Sequence, residues 1–379
     1  MVVARILLVL ACCFGLNQQT TAQPLQKVER LIEKAYKILE GDSSKPRKVY
    51  FAAIPIWGIY PETGWRLGLS NVVFFNMHQD SITRPSLLRL NLQYTQNGQY
   101  SIKPFADVFS KDNNWNLRAF FNHTYFNEYY FGIGNQAPKE NRELYFFKLN
   151  QFDLRLTRKF GKHVYVGAQV HSEKMYNMDY REPASNLNKP QTPGGQGSFT
   201  AGAGLVLAYD NRNKIYYPTQ GVYAEVSNVL NTAALNSGFN FYVTQVDIRK
   251  YIHLKKMNVV ALQAFGRFID GQAPFRQLST MGNDMMMRGY YNGRYRDNHL
   301  FCLQAELRQT IWGPVGLAVF GGVGNVGSNL NNLMQHIKPN YGAGLRGVAF
   351  RKEHINIRID YGIGHSGISG FYFTMGEAF

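Results

Sequence analysis

Gly370-Phe371-Tyr372-Phe373-Thr374-Met375-Gly376-Glu377-Ala378-Phe379 closes the chain as an aromatic strand. Phe371, Phe373, Met375 and Phe379 share one face at the period of two that marks a strand, and Glu377 interrupts it. Chain ends of ordinary domains are polar and fray unless something ties them down. The stretch is therefore either an edge strand of a soluble sheet or the closing strand of a transmembrane barrel, whose sheet cannot keep an open edge in lipid.

Upstream segments repeat the alternation. In 86–95, Leu88, Leu90, Leu92 and Tyr94 oppose Arg89, Asn91 and Gln93. In 300–311, Phe301, Leu303, Ala305, Leu307 and Ile311 oppose Cys302, Gln304, Glu306 and Arg308. In 354–363, Ile355, Ile357, Ile359, Tyr361 and Ile363 oppose His354, Asn356, Arg358 and Asp360. A soluble sandwich alternates too, but bulky, repeated polar faces suit a hydrated lumen inside an apolar exterior. The pattern predicts an all-β chain, a transmembrane antiparallel barrel of about sixteen strands: 48–57, 65–76, 86–97, 99–110, 113–125, 143–159, 162–175, 197–210, 221–229, 238–252, 256–269, 298–312, 314–322, 339–349, 354–363 and 370–379. Tight connections at Asn97-Gly98 and Gly161-Lys162 contrast with long ones at 176–196 and 270–297, and the glycine-rich 194–204 and 321–327 suit bends or close backbone approach.

Composition agrees. Of 379 residues, 45% are hydrophobic and 14% aromatic, with 26 Phe, 24 Tyr and 36 Gly, yet the mean hydropathy is only −0.28. No run reaches the roughly 18 apolar residues of a spanning helix. The net charge of +16 comes with no nucleic-acid recognition motif or basic tail, so lumen lining or loops facing anionic headgroups is the expected use of the cations.

Residues 1–22 read as an export signal: Arg5, an apolar Ile6–Leu16 core, then Thr20-Thr21-Ala22 before Gln23. A lipoprotein signal ending at Cys12 is the weaker alternative, since the apolar core before it is short. After cleavage Cys302 is the remaining cysteine, which excludes an internal disulfide, and no Cys/His cluster has metal-ligand spacing. Residues 23–47 are expected to hold a short periplasmic helix and linker, with Leu25, Val28, Leu31, Ile32, Ala35 and Leu39 on one face, docked at the barrel rim, with a plug as the alternative; 48–379 are expected to form the barrel.

Met285-Met286-Met287-Arg288-Gly289-Tyr290-Tyr291-Asn292-Gly293 sits in the longest loop, ahead of a strand carrying Glu306 and Arg308. Ile54-Pro55 with Tyr60-Pro61-Glu62-Thr63-Gly64, Tyr209-Asp210-Asn211-Arg212 with Pro218-Thr219-Gln220-Gly221, and the aromatic end complete a set in fixed order. On these residues 48–379 resembles the BamA/TamA family of outer-membrane barrels, also called the bacterial surface antigen family. The resemblance implies that Arg288-Gly289-Tyr290 marks a loop folded into the lumen, with Arg288 paired to Glu306 first and Asp360 second. A guanidinium away from bulk water needs a carboxylate partner. It also implies that Phe371, Phe373 and Phe379 act as the C-terminal assembly signal. Three departures stand out, the first being Glu377 at the third position from the end, where the family usually has an aromatic residue. Phe320-Gly321-Gly322-Val323-Gly324 has Gly322 where the family often has Asp, which removes one acidic anchor and predicts a less firmly held loop. The stretch before the first strand leaves no room for the family's POTRA domains.

The functional expectation is a Gram-negative outer-membrane barrel that helps assemble, insert or move proteins or lipids through a weak seam between its first and last strands, where Pro55 removes a backbone donor. Its partners would be outer-membrane lipids, the assembly machinery during its own insertion, and client proteins; it would be a monomer. The alternative is a passive channel lined by Arg89, Arg155, Arg308 and Arg358 and narrowed by loop 270–297. An enzyme is not expected: Gly364-His365-Ser366-Gly367-Ile368 lacks the closing glycine of a nucleophile elbow. No catalytic residue, cofactor or metal is assigned.

Overall fold

The computed structural model describes residues 49–379, apart from 61–62, 79, 81, 182–184, 256–257 and 352–353. The export signal 1–22, the helix and linker 23–47, and Pro61-Glu62 lie outside the described residues. Sixteen strands follow one another in chain order in a single antiparallel sheet. They are β1 (Val49–Tyr60), β2 (Gly64–Phe75), β3 (Ser86–Thr95), β4 (Tyr100–Phe109), β5 (Trp115–Tyr130), β6 (Glu143–Phe160), β7 (Val164–Tyr180), β8 (Ser198–Asp210), β9 (Gly221–Asn231), β10 (Phe241–His253), β11 (Val259–Gly271), β14 (His299–Trp312), β15 (Val315–Gly327), β16 (Lys338–Phe350), β17 (Ile355–Gly364) and β18 (Ser369–Met375). Two short strands, β12 (Ser279–Met281) and β13 (Tyr295–Asp297), pair with each other inside the long loop. No helix among the described residues is long and apolar enough to cross a membrane; the strands do so.

The period-2 pattern decides which way each side chain points. Leu88, Leu90, Leu92 and Tyr94 of β3 are exposed on the outside, as are Leu205 and Leu207 of β8 and Leu303 and Leu307 of β14. The opposite faces carry charge into the lumen, where Arg155 meets Glu225 at 2.7 Å and Arg118 meets Asp107 at 3.2 Å. The outside is apolar because it meets lipid, and the paired charges inside hold the mean hydropathy down.

The two edges of the sheet meet at a seam. Among the described residues β1 has a ladder only to β2, and β18 only to β17. Pro55, opposite Leu69, lies in mid-strand where a one-sided ladder tolerates a missing donor. Near the end of the barrel where β1 begins, Tyr50, Ala52 and Ile54 pack in one apolar cluster with Ala349, Phe350, Ile355, Ile357 and Met375. Side chains, not a backbone ladder, close the seam there. That end is called the terminal end below, and the opposite one the loop end.

One sequence expectation needs correction. The last strand stops at Met375 rather than reaching Phe379. Gly376 adopts φ +87°, a left-handed turn. Glu377 then swings inside to Arg346 and Asn356, and Phe379 follows it into the lumen, 3% exposed, against Tyr251, Val259 and Ala261. Phe371 is exposed on the outer face as expected, but Phe379 does not share that face. The buried carboxylate decides the outcome: Glu377 could not face lipid, whereas two guanidinium groups wait for it within the barrel.

Candidate functional site

Loop 272–298 starts and ends at the loop end and is stiffened by the β12–β13 hairpin. Beyond the hairpin the chain descends into the lumen, where Met281, Met287, Tyr290 and Tyr295 pack on Leu300, Cys302 and Val326. Asn283 turns the tip by accepting from the amides of Met285 and Met286, each at 2.7 Å.

Arg288 lies at the bottom of this descent and is 1% exposed. One terminal nitrogen donates to Glu306 on β14 at 2.6 Å and the other to Asp360 on β17 at 2.6 Å. Its guanidinium carbon stands 3.4 Å from the ring centroid of Phe320 on β15. A fully desolvated cation needs all of this compensation, because burial of an unpaired charge is prohibitive. With Gly322 where an acid could stand, both terminal nitrogens of Arg288 are paired while its buried Nε has no hydrogen-bond partner.

The rest of the motif fits by close approach. Gly289 takes φ +112°, and a Cβ there would stand 2.8 Å from the backbone of Gly364. From the other side, a Cβ on Gly362 would stand 2.6 Å from the Arg288 carbonyl carbon, and one on Gly364 2.7 Å from the Tyr290 ring. The Gly289 amide donates to the Tyr372 hydroxyl at 2.9 Å, and the Asn340 amide donates to the Arg288 carbonyl at 2.9 Å. The Tyr290 hydroxyl donates to the Pro339 carbonyl and accepts from the His365 amide, both at 2.7 Å.

The ion pair belongs to a larger network. Arg308 reaches Glu306 at 2.8 Å and Glu377 at 3.5 Å. Arg346 reaches Asp360 at 2.5 Å, Glu377 at 2.9 Å and Glu306 at 3.4 Å. Arg358 reaches Asp360 at 2.7 Å and Asp284 of the loop at 3.2 Å. Four arginines thus face four carboxylates from the loop, three strands and the chain's tail. Sequence reasoning placed Arg288, Glu306 and Asp360 here, and Arg308 and Arg358 on the lumen face. It missed Arg346, although alternation along 338–350 puts it inside, and it read Glu377 only as an irregularity. Neither Phe320 nor Tyr372 carried a sequence signal for its contact with the loop.

A family profile described as the Omp85 superfamily domain matches residues 84–379. No curated protein matches the chain. Among solved structures it is similar to BamA from Haemophilus ducreyi lacking POTRA domains 1–3, at 16% identity and a TM-score of 0.54, over 88% of this chain and 70% of that one. It is also similar to CdiB from Acinetobacter baumannii, at 12% identity and a TM-score of 0.57, over 87% of this chain but only 60% of that one. At these identities the likeness is one of fold.

Proposed function

The chain belongs to the Omp85 superfamily as an outer-membrane β-barrel, and from that premise we propose that it assists the assembly, insertion or translocation of proteins or lipids at the outer membrane through the wall between β1 and β18. The observation that carries the reading is the seam itself: both edge strands lack a ladder across it among the described residues. Opening a side-chain contact costs far less than breaking a ladder of backbone hydrogen bonds in lipid, where each unsatisfied group costs several kcal/mol. The anchored loop supports the same reading, since a lumen stoppered by Arg288 keeps the membrane sealed while the wall works. Phe371 and Phe373, with Phe379 before it folds inward, would serve as the signal by which the assembly machinery inserts this chain, which then works as a monomer.

A passive channel is the second reading. It is favoured by a lumen cavity of about 570 Å³ lined by Arg118, Arg155, Arg267, Asp153 and His171. The two separate in proteoliposomes holding the full chain. Single-channel conductance is recorded for wild type, Arg288→Ala and a deletion of 272–296, beside an assay for insertion of an unfolded barrel client. A nearly closed wild type that inserts client supports the assembly reading. Large, steady wild-type pores with no insertion overturn it in favour of the channel.

A further inference from the structure

We propose that the turn 211–220 is an internal strap that clamps both flanks of the β1–β18 seam and closes the terminal mouth of the barrel. The turn joins the eighth and ninth strands of a sixteen-strand order, so it starts from the wall opposite the seam. A hairpin connection there needs only about two to five residues. Here the hairpin ladder runs on through Asn211 to Val222 and Asn213 to Gln220, and the tip 214–219 reaches away from its own strands.

On the β2 flank, the Tyr216 ring stands edge-on to Phe74 with centroids 5.3 Å apart, and its hydroxyl donates to the Pro85 carbonyl at 3.3 Å. On the β16–β17 flank, Tyr217, 5% exposed, lies 4.0 Å from the His354 ring. Phe74 also meets Phe350 of β16 at 5.5 Å, which joins the two flanks under the strap.

The strap is rigidly based. Asp210 at the end of β8 accepts from Arg212 at 2.9 Å and from Arg84, in the turn after β2, at 2.7 Å. The Asn213 side chain accepts from the amides of Thr219 and Gln220, and the Asn211 side chain from the amide of Val222. The Asp-x-Arg and Pro-x-x-Gly pair singled out in the sequence is therefore the footing of a device that acts on the far wall. Two adjacent tyrosines, one bound to each flank, couple the flanks directly. The inference goes beyond the assembly reading and holds equally for a channel.

The test uses the full chain refolded into liposomes, with Cys12, Cys13 and Cys302 replaced by alanine and spin labels on Ala53→Cys and Phe373→Cys. In Tyr216→Ala/Tyr217→Ala the β1–β18 distance distribution should broaden and shift outward, and mean conductance should rise several-fold. In a Tyr217→Cys/His354→Cys chain, unlabelled elsewhere, oxidation should suppress opening events below the wild-type level, and reductant should restore them. Unchanged distances and conductance in a double-alanine chain that still runs as a folded barrel on a heat-modifiability gel would overturn the proposal. So would opening events that ignore the oxidation state of the cysteine pair, which decides the matter if the double-alanine chain does not fold. None of these readouts uses a client, so their failure is separate from failure of the assembly reading.

Discussion

Arg346 donates to Glu377 at 2.9 Å, and through that contact the tail of the chain joins the network that holds the loop. The same guanidinium reaches Asp360, one of the two carboxylates that hold Arg288. The loop and the tail enter from opposite ends of the barrel and are linked through the shared carboxylates Glu306 and Asp360, which Arg288 contacts from one side and the Glu377-bound Arg308 and Arg346 from the other.

Glu377→Gln should release the tail. The substitution keeps the shape but removes the charge that two buried arginines face, and breaking a buried pair costs about 3–5 kcal/mol. Phe379 is buried, so carboxypeptidase should spare the wild type and remove Phe379 and Ala378 from the variant. Equal resistance would mean that the Arg308 bond to the Phe379 carbonyl at 2.7 Å and the contacts with Tyr251, Val259 and Ala261 hold the tail without the Glu377 charge.

Arg288→Ala should cost more than the paired change. The single variant leaves Glu306 and Asp360 with fewer cations around them, whereas Arg288→Met with Glu306→Gln removes one charge of each sign. A double-mutant cycle of Arg288→Met, Glu306→Gln and their combination, by denaturant titration, should return a coupling of about 0.5–3 kcal/mol between the two residues. A coupling near zero would show that Arg308 and Arg346 neutralise Glu306 without the loop.

Gly289→Ala should lift the loop without touching any charge. At φ +112° an L side chain is strained, and its Cβ would press on the backbone of β17. Protease cleavage within 283–294 should become faster than in wild type, while the strand content seen by circular dichroism stays the same.

The His354 imidazole should titrate below its usual value of about 6.5. Burial disfavours its charged form, and Lys214 of the strap adds to this, with Glu377 opposing. A histidine with a depressed folded pKa contributes stability that is complete above pH 6.5 and fades as the pH falls through the folded value. NMR titration of the ring should show that low midpoint in wild type and an upward move in Lys214→Gln.

Leu205→Arg should impair folding into lipid, at a cost of about 2–4 kcal/mol if the site lies at mid-membrane. Leu205 is 65% exposed in the middle of β8, facing outward. The same change at the exposed Leu330, in the short helix Leu330–Leu333 between β15 and β16, should be tolerated, and equal refolding yields for the two would contradict the lipid-facing assignment.

Alternation made the strands legible because lipid outside and water inside impose opposite demands on successive residues. Strand positions such as those around Leu88–Tyr94 and Ile355–Ile363 follow from that contrast. Strand lengths are less visible: β5 runs to Tyr130 and β7 to Tyr180, past the alternating stretches, and β15 continues through its glycines to Gly327. Backbone pairing persists there although the side chains lose their pattern. The end of β18 was illegible for a different reason, since a period-2 reading cannot see the arginines on β14 and β16 that draw Glu377 inward.

The sequence by itself determined an outer-membrane barrel of about sixteen strands with a charged lumen and one arginine-bearing loop, because each of these rests on local period, composition or motif order. Tertiary structure alone decided that Arg288 takes two carboxylates and a phenyl face, that the tail turns in, and that Tyr216 and Tyr217 reach the wall beside the seam. Those outcomes depend on which side chains meet across the lumen, and residues far apart in the chain carry no local mark of one another.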